Sequence, residues 1–419
     1  MKFWSNLSRL FNKFCENIHH KIIYRKFKET KNKKIYSEKD LLSTLSHYVT
    51  KKMSMDQVLI DKKNKDKYER KHIKRQSFDT YRNRLHPNLL NNLFNNLKKS
   101  FFMFNSKNHK KNKIQRIFAI DGSNYQANKE MHYTYDFRST KRNTYSLFKI
   151  ITLYDVEEKI PIAQHISDNF DERKLFKEFL LKYVNENDIV IFDAGFYSDE
   201  LYELLVNKKI KCIFRIKKNK KESKKLLNNN SEITLSMDKR IIRYDIEYKQ
   251  SQKNKNDEIE YIEKKSSFYM MTNILNLNLE TIKKLYHDRW FIEEYFKIIK
   301  NFMTPNNLRH KKIELIEQEL IMKMIIIILA RYCLKNNLKI NNNTSKNKSV
   351  NFKIFLFSSG QDLIDSLLFS KNKKIFKKIL NNSIIWIYNS SDRHYPRIAV
   401  VNRMKWYKFS NLDYIYEPD

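Results

Sequence analysis

The chain has 419 residues and a formal net charge of +36, set by 83 Lys and Arg against 47 Asp and Glu. That imbalance implies a polyanionic partner, nucleic acid first among them, although coding bias toward Lys, Asn and Ile is a competing source for much of it. Apolar residues make up 41% and aromatics 14%, which excludes wholesale disorder and leaves room for two to four domains. The longest apolar run, Met324 to Ala330, is far short of the roughly 20 residues that span a bilayer, and residues 1 to 29 have no signal-peptide core. Cys15, Cys212 and Cys333 are odd in number and far apart, which suits neither a disulfide framework nor a zinc cluster. A soluble protein of a reducing interior, cytoplasm or nucleoid in a bacterium, is the expectation, with no membrane partner.

Residues 1 to 110 read as a helical, basic domain. Leu41 to Val49 and Leu89 to Phe102 carry apolar residues at helical spacing. Between them, Ser54 to Val58 and Ser77 to Leu85 flank a basic stretch and are closed by Pro87. That pattern suits either a helix-turn-helix that binds DNA or a plain bundle with a solvated basic face. A polar linker, Asn105 to Lys113, leads into Arg116-Ile117-Phe118-Ala119-Ile120-Asp121-Gly122-Ser123. Extended segments follow at Tyr145 to Asp155 and Ile160 to Ser167, then a helix from Glu172 to Val184. The second run of this kind is Asp188-Ile189-Val190-Ile191-Phe192-Asp193-Ala194-Gly195-Phe196, after which Ser198 caps a helix and Ile210 to Ile216 forms a strand. Both runs read as strands buried on two faces, and the order of elements predicts an α/β layer over residues 111 to 220. Only three glycines occur in the chain, and two of them follow these aspartates, where a turn or a close approach demands them. A carboxylate just past a buried strand sits where α/β folds hold ligands, so Asp121 and Asp193 suggest a metal site.

Residues 221 to 276 alternate at period two, through Ile233, Leu235, Met237, Ile242, Tyr244, Ile246 and Tyr248, and predict a small antiparallel β insertion. Residues 277 to 340 return to helices, one from Asn278 to Met303 stopped by Pro305 and one from Ile313 to Leu334. A low-complexity tract, Asn341 to Lys348, opens a basic C-terminal region, 341 to 419, with Arg393, Arg397, Arg403 and Lys405 among aromatics. At about 100° per residue, a continuous helix brings Tyr286, Arg289, Glu293, Lys297 and Lys300 onto one face. Phe291, Tyr295, Ile298, Ile299 and Phe302 then face the core, and Glu294 points elsewhere. The plain alternative for Arg289 and Glu293 is an i, i+4 ion pair on a solvated face. Three carboxylates in order, Asp121, Asp193 and Glu293, are what two-metal phosphoryl transfer needs, because Mg²⁺ takes a few hard oxygen ligands and keeps its waters.

In Asp121-Gly122-Ser123, Asp193-Ala194-Gly195-Phe196 and the pattern Y-x(2)-R-x(3)-E-x(6)-K filled by Tyr286, Arg289, Glu293 and Lys300, the chain resembles DDE transposases of bacterial insertion sequences. The likeness is to the insertion-sequence-four branch, which shares the Arg289-Trp290-Phe291-Ile292-Glu293 core, and it covers roughly residues 110 to 340. It implies a ribonuclease H-like core interrupted by the β insertion, in which Asp121, Asp193 and Glu293 ligate two Mg²⁺ or Mn²⁺ ions. It also implies phosphate contacts from Tyr286, Arg289 and Lys300, to which the shared helix face adds Lys297. The function implied is cleavage of double-stranded DNA at the ends of a mobile element and joining of those ends to target DNA, by a homodimer in a synaptic complex. Two other functions fit the same residues: a DNA-binding relic of a transposase, and a ribonuclease H-like nuclease without strand transfer.

Overall fold

The computed structural model describes residues 2–23, 37–51, 53–64, 74–106, 115–126, 128, 131, 147–217, 232–236, 239–253, 259–302, 310–338, 348–350, 352–369, 384–386, 399–401 and 414–416. Arg393, Arg397, Arg403, Lys405, Pro305 and the three polar tracts at 107–113, 218–230 and 341–347 lie outside the described residues. The chain divides into two units. The first comprises Met1–Ile191, Asn207–Ile210 and Lys283–Ile387, and the second Phe192–Val206, Lys211–Ile282 and Tyr388–Asp419.

The first unit contains a mixed sheet. Strands β1 (Ile117–Gln126), β2 (Leu147–Asp155) and β3 (Ile160–Ser167) form an antiparallel meander, and β4 (Ile189–Phe192) joins β1 on its other side in parallel. Phe118, Ala119, Ile120, Ile150, Ile151, Leu153 and Ile191 have no solvent exposure. Strands this apolar need cover on both faces, which is why the aspartate runs read as buried strands rather than alternating ones. The parallel register is pinned at its start by Asp188, which is itself fully buried. Its carboxylate accepts from the Arg116 backbone at 2.9 Å, the Asn185 backbone at 2.9 Å and the Arg116 guanidinium at 3.1 Å. Between β3 and β4 the predicted helix is irregular. An α turn, α6 (Glu172–Leu175), passes into a π turn over Phe176–Leu180 and a 3-10 turn over Leu181–Tyr183. Leu175, Phe176 and Leu180 are all buried along it.

Helices α1 (Lys2–Ile23), α2 (Glu38–Thr50), α3 (Met55–Asn64), α4 (Arg75–Arg84) and α5 (Pro87–Ser106) belong to the same unit. They gather about α10 (Ile313–Leu338) and α11 (Phe352–Phe369), with α5 and α11 packed on α10 and α2 packed on both α10 and α11. From Leu320 to Ala330 every residue of α10 is buried, as expected of a helix that is apolar all round. Its exceptions are Gln318, Glu319 and Lys323, and they explain where α4 sits. Arg82 of α4 is 1% exposed and reaches Glu319 at 3.1 Å, the Leu315 carbonyl at 2.8 Å and Gln318 at 3.3 Å. Gln318 returns a bond to the Arg82 carbonyl at 2.8 Å, and His310 lies 2.9 Å from the Arg82 guanidinium. A solvated basic face would have left Arg82 in water; it is the polar anchor of α4 instead.

The second unit contains α7 (Asp199–Asn207) and an antiparallel sheet in the order β5 (Lys211–Ile216), β8 (Ile259–Thr272), β7 (Lys239–Lys253), β6 (Glu232–Ser236). Of the period-two residues, Ile233 and Leu235 lie on β6 and Ile242, Tyr244, Ile246 and Tyr248 on β7, which pairs with β8 from Arg240 opposite Thr272 to Lys253 opposite Ile259; Met237 lies outside the described residues. Tyr244 stacks on its cross-strand partner Phe268 with centroids 5.5 Å apart. Ser198 caps α7 as its position implied, accepting from the Leu201 backbone at 3.2 Å.

Candidate active site

The site is built on the far end of β1, past its last pairing with β4 at Ala119. Successive side chains of a strand alternate faces, so Asp121, Ser123 and Tyr125 look one way and Gly122 and Asn124 the other. Asp121 is half-buried, and its Oδ1 accepts from the Gly122 backbone at 2.8 Å. Neither this glycine nor Gly195 has positive φ. The left-handed turns of the described residues are taken by Lys159, Asn187 and Lys209. Glycine is needed here for space rather than for an unusual backbone. A Cβ on Gly122 would meet the Glu172 side chain, which is paired with Lys149, and one on Gly195 would stand 3.2 Å from Asp193 Oδ1.

Against this end of β1 packs a helix that is not the single one expected. It is broken at Arg289 into α8 (Leu279–Asp288) and α9 (Trp290–Phe302). The Arg289 N–H reaches back only to the Tyr286 carbonyl, at 3.2 Å, and the Ile292 N–H to the Arg289 carbonyl, at 3.1 Å, so the join is tightened by one residue. No Gly or Pro marks the break, which is why periodicity ran through it. The core face of α9 becomes Ile292, Tyr295, Phe296, Ile298 and Ile299, and Phe291 is only half-buried, beneath the Lys159 ammonium at 3.9 Å from its ring centroid.

Four of the five helix residues converge with Asp121 within the first unit. Arg289, 15% exposed, pairs with Glu293, 29% exposed, and its guanidinium stands 5.8 Å from the Tyr286 ring centroid. Burial alone would lower the Arg289 pKa, but Tyr286, Glu293 and Asp121 hold it above its usual value, so this cation is permanent. Lys300 lies 4.9 Å from the Tyr125 ring centroid. Burial lowers the Lys300 pKa, against the pull of Asp121. Lys297 stands apart, 2.9 Å from Glu294 and 4.3 Å from the Trp290 ring, and Glu294 also holds Lys353 of α11 at 2.8 Å.

Asp193 belongs to the second unit. It follows the last residue of β4 and is half-buried, and its Oδ1 accepts from the Gly195 backbone at 2.8 Å. Phe192 and Phe196 on either side are fully buried and close on each other at 5.5 Å, which fixes the turn between them. Among the described residues, no three His, Cys, Asp or Glu side chains stand together as a metal centre. The donor chemistry of the aspartates and Glu293 nevertheless suits a hard divalent cation, since all three are carboxylates held by local N–H donors. Reading the sequence alone missed Tyr125, Lys149 and Glu172. Strand alternation from Asp121 could have found Tyr125; nothing local distinguishes Glu172 from other acids in a first helical turn.

No curated protein matches the chain. Among solved structures, the cryo-EM synaptic complex of piggyBac transposase with hairpin DNA is similar at a TM-score of 0.45 and 15% identity, over 92% of this chain and 86% of that one. A family model described as the transposase DDE domain matches residues 112–329, more than half of the chain and the stretch that carries Asp121, Asp193 and Glu293. The chain belongs to the DDE transposase family, whose domain cleaves and transfers DNA.

Proposed function

We propose that this protein is the transposase of an insertion sequence of the insertion-sequence-four branch. On this reading it cuts its element's ends, as a homodimer on double-stranded DNA, and joins them to target DNA. The observation that carries this is the grouping of Tyr286, Arg289, Glu293 and Lys300 with Asp121 around one end of β1. Asp193 is added from the sequence, as the carboxylate that follows the apolar run Ile189–Phe192. The mixed sheet, with its parallel pair and antiparallel meander, is the kind of layer a ribonuclease H-like core requires.

Asp121, Asp193 and Glu293 would hold two Mg²⁺ or Mn²⁺ ions, which when bound supply activation of the attacking oxygen and neutralisation of the leaving one. Arg289 offers a planar, always-charged guanidinium to the phosphate, and Glu293 and Tyr286 keep it oriented until DNA arrives. Lys300, resting on Tyr125, directs a second cation at the same phosphate and screens Asp121. Lys297 reaches phosphates from its own station over Trp290. The test is Mg²⁺-dependent cleavage of a duplex carrying the gene's flanking ends. Loss of cleavage in Asp121→Asn and Glu293→Gln with DNA binding retained supports the reading. Tight binding without cleavage by the wild type means a relic, and cleavage without joining means a nuclease.

A further inference from the structure

We propose that Lys149 and Glu172 are positioning residues for Asp121, acting through Gly122; the proposal rests on Asp121 being a catalytic carboxylate. Gly122 has no backbone need to be glycine, since its φ is not positive. What excludes a side chain is Glu172: a Cβ at Gly122 would lie 2.8 Å from Glu172 Cδ and 3.1 Å from its Cγ. The carboxylate is not a loose end that can swing away at no cost. It is paired with the Lys149 ammonium, and the two side chains are only 22% and 12% exposed.

The geometry around the pair is over-determined. Lys149 stands on β2 opposite Asn124 of β1 and Ser167 of β3, which puts it on the Gly122 face of the sheet and not the Asp121 face. Glu172 enters from the first turn of α6, whose N-cap Asp171 accepts from the Arg173 and Lys174 backbones at 3.0 and 3.3 Å. On the other side of the strand, the Gly122 N–H holds Asp121 Oδ1 at 2.8 Å. The peptide that orients the Asp121 carboxylate is therefore backed by a partly buried ion pair. Removing the backing lets that peptide tilt, and misplacement by about 1 Å costs catalysis up to about 10²-fold.

The experiment measures Mg²⁺-dependent cleavage of the flanking-end duplex by full-length Glu172→Ala, Glu172→Gln, Gly122→Ala, the Gly122→Ala/Glu172→Ala double variant, Lys149→Met and Lys149→Arg, beside the wild type and Asp121→Asn. Glu172→Ala and Gly122→Ala are each expected to lower kcat about tenfold and raise the Mg²⁺ concentration for half-maximal rate, with DNA KM unmoved and the loss persisting well below each variant's thermal midpoint. The double variant is expected to be no worse than either single one, because the methyl added at Gly122 acts by displacing the same carboxylate that Glu172→Ala removes. Lys149→Arg keeps most of the rate that Lys149→Met loses. Should Glu172→Ala fail to fold, Glu172→Gln, which keeps the shape and loses the charge, must show the same direction of change. Wild-type rates in the Glu172 variants, a multiplicative loss in the double variant, or a loss that follows the thermal midpoint overturns the proposal while leaving the active site standing. Equal cleavage by Asp121→Asn and wild type overturns the active-site reading and the proposal with it.

Discussion

Glu293 and Glu294 are adjacent in sequence and differ in everything that matters to chemistry. Glu293 shares Arg289 with Asp121 and Tyr286, whereas Glu294 is neutralised by Lys297 and Lys353. Burial would raise the Glu294 pKa, but its two lysine partners hold it below the usual value, as befits a structural tie between α9 and α11. Glu293→Gln is therefore expected to lower cleavage by at least about 10³-fold, and Glu294→Gln to change it by less than about threefold, measured as single-turnover rates. Arg289→Lys keeps the charge but loses the planar fork, and a loss of about tenfold or more with unchanged DNA affinity is expected from the same assay. Asp155, at the end of β2, is a different kind of carboxylate. Burial, with further repulsion from Glu158 and Glu157, pushes its pKa up from 3.8 to about 7, although it accepts from the Glu158 backbone at 2.9 Å. The folded state then binds this proton more tightly than the unfolded chain does. Its contribution is full below pH 3.8 and is lost as pH rises toward 7. Asp155→Asn is expected to flatten that part of the stability profile in denaturant titrations run from pH 4 to 7.

At the scale of elements, the strands and most helices were legible because their signals are local. Ile117 to Ile120 and Ile189 to Phe192 are unbroken apolar runs, and the period-two alternation around Tyr244 survives as a cross-strand stack on Phe268. The break at Arg289 was not legible, because no Gly or Pro marks it and the apolar spacing runs on through it. The role of α4 was also masked: its arginines look alike in sequence, yet Arg75 is 60% exposed beside Asp56 and Arg82 is buried against Glu319. Arg82→Ala is expected to cost about 3 kcal/mol, since it strands Glu319 and Gln318 in the interior. Arg75→Ala should cost under about 1 kcal/mol in the same unfolding measurement, as for other exposed pairs.

For the whole molecule, the excess of cations is consistent with a partner that carries regularly spaced phosphates. Binding of duplex DNA should weaken linearly on a log–log plot against salt, each phosphate the protein neutralises steepening the negative slope by about 0.9. A flat plot would assign the charge to composition alone. Within the first unit, the sheet that holds Asp121 and the helices that hold Arg289 and Glu293 share one core, and the ordering of that core is what keeps the cations aimed. No described helix is long and apolar enough to cross a membrane. The measurement that bears most directly on the account is cleavage of a duplex carrying the gene's own flanking ends, with Mg²⁺, by wild type and Glu293→Gln. The account predicts metal-dependent cutting by the wild type, abolished by chelator and by Glu293→Gln, with DNA binding intact in both. Cutting that survives excess chelator, or a fully active Glu293→Gln protein, would contradict it.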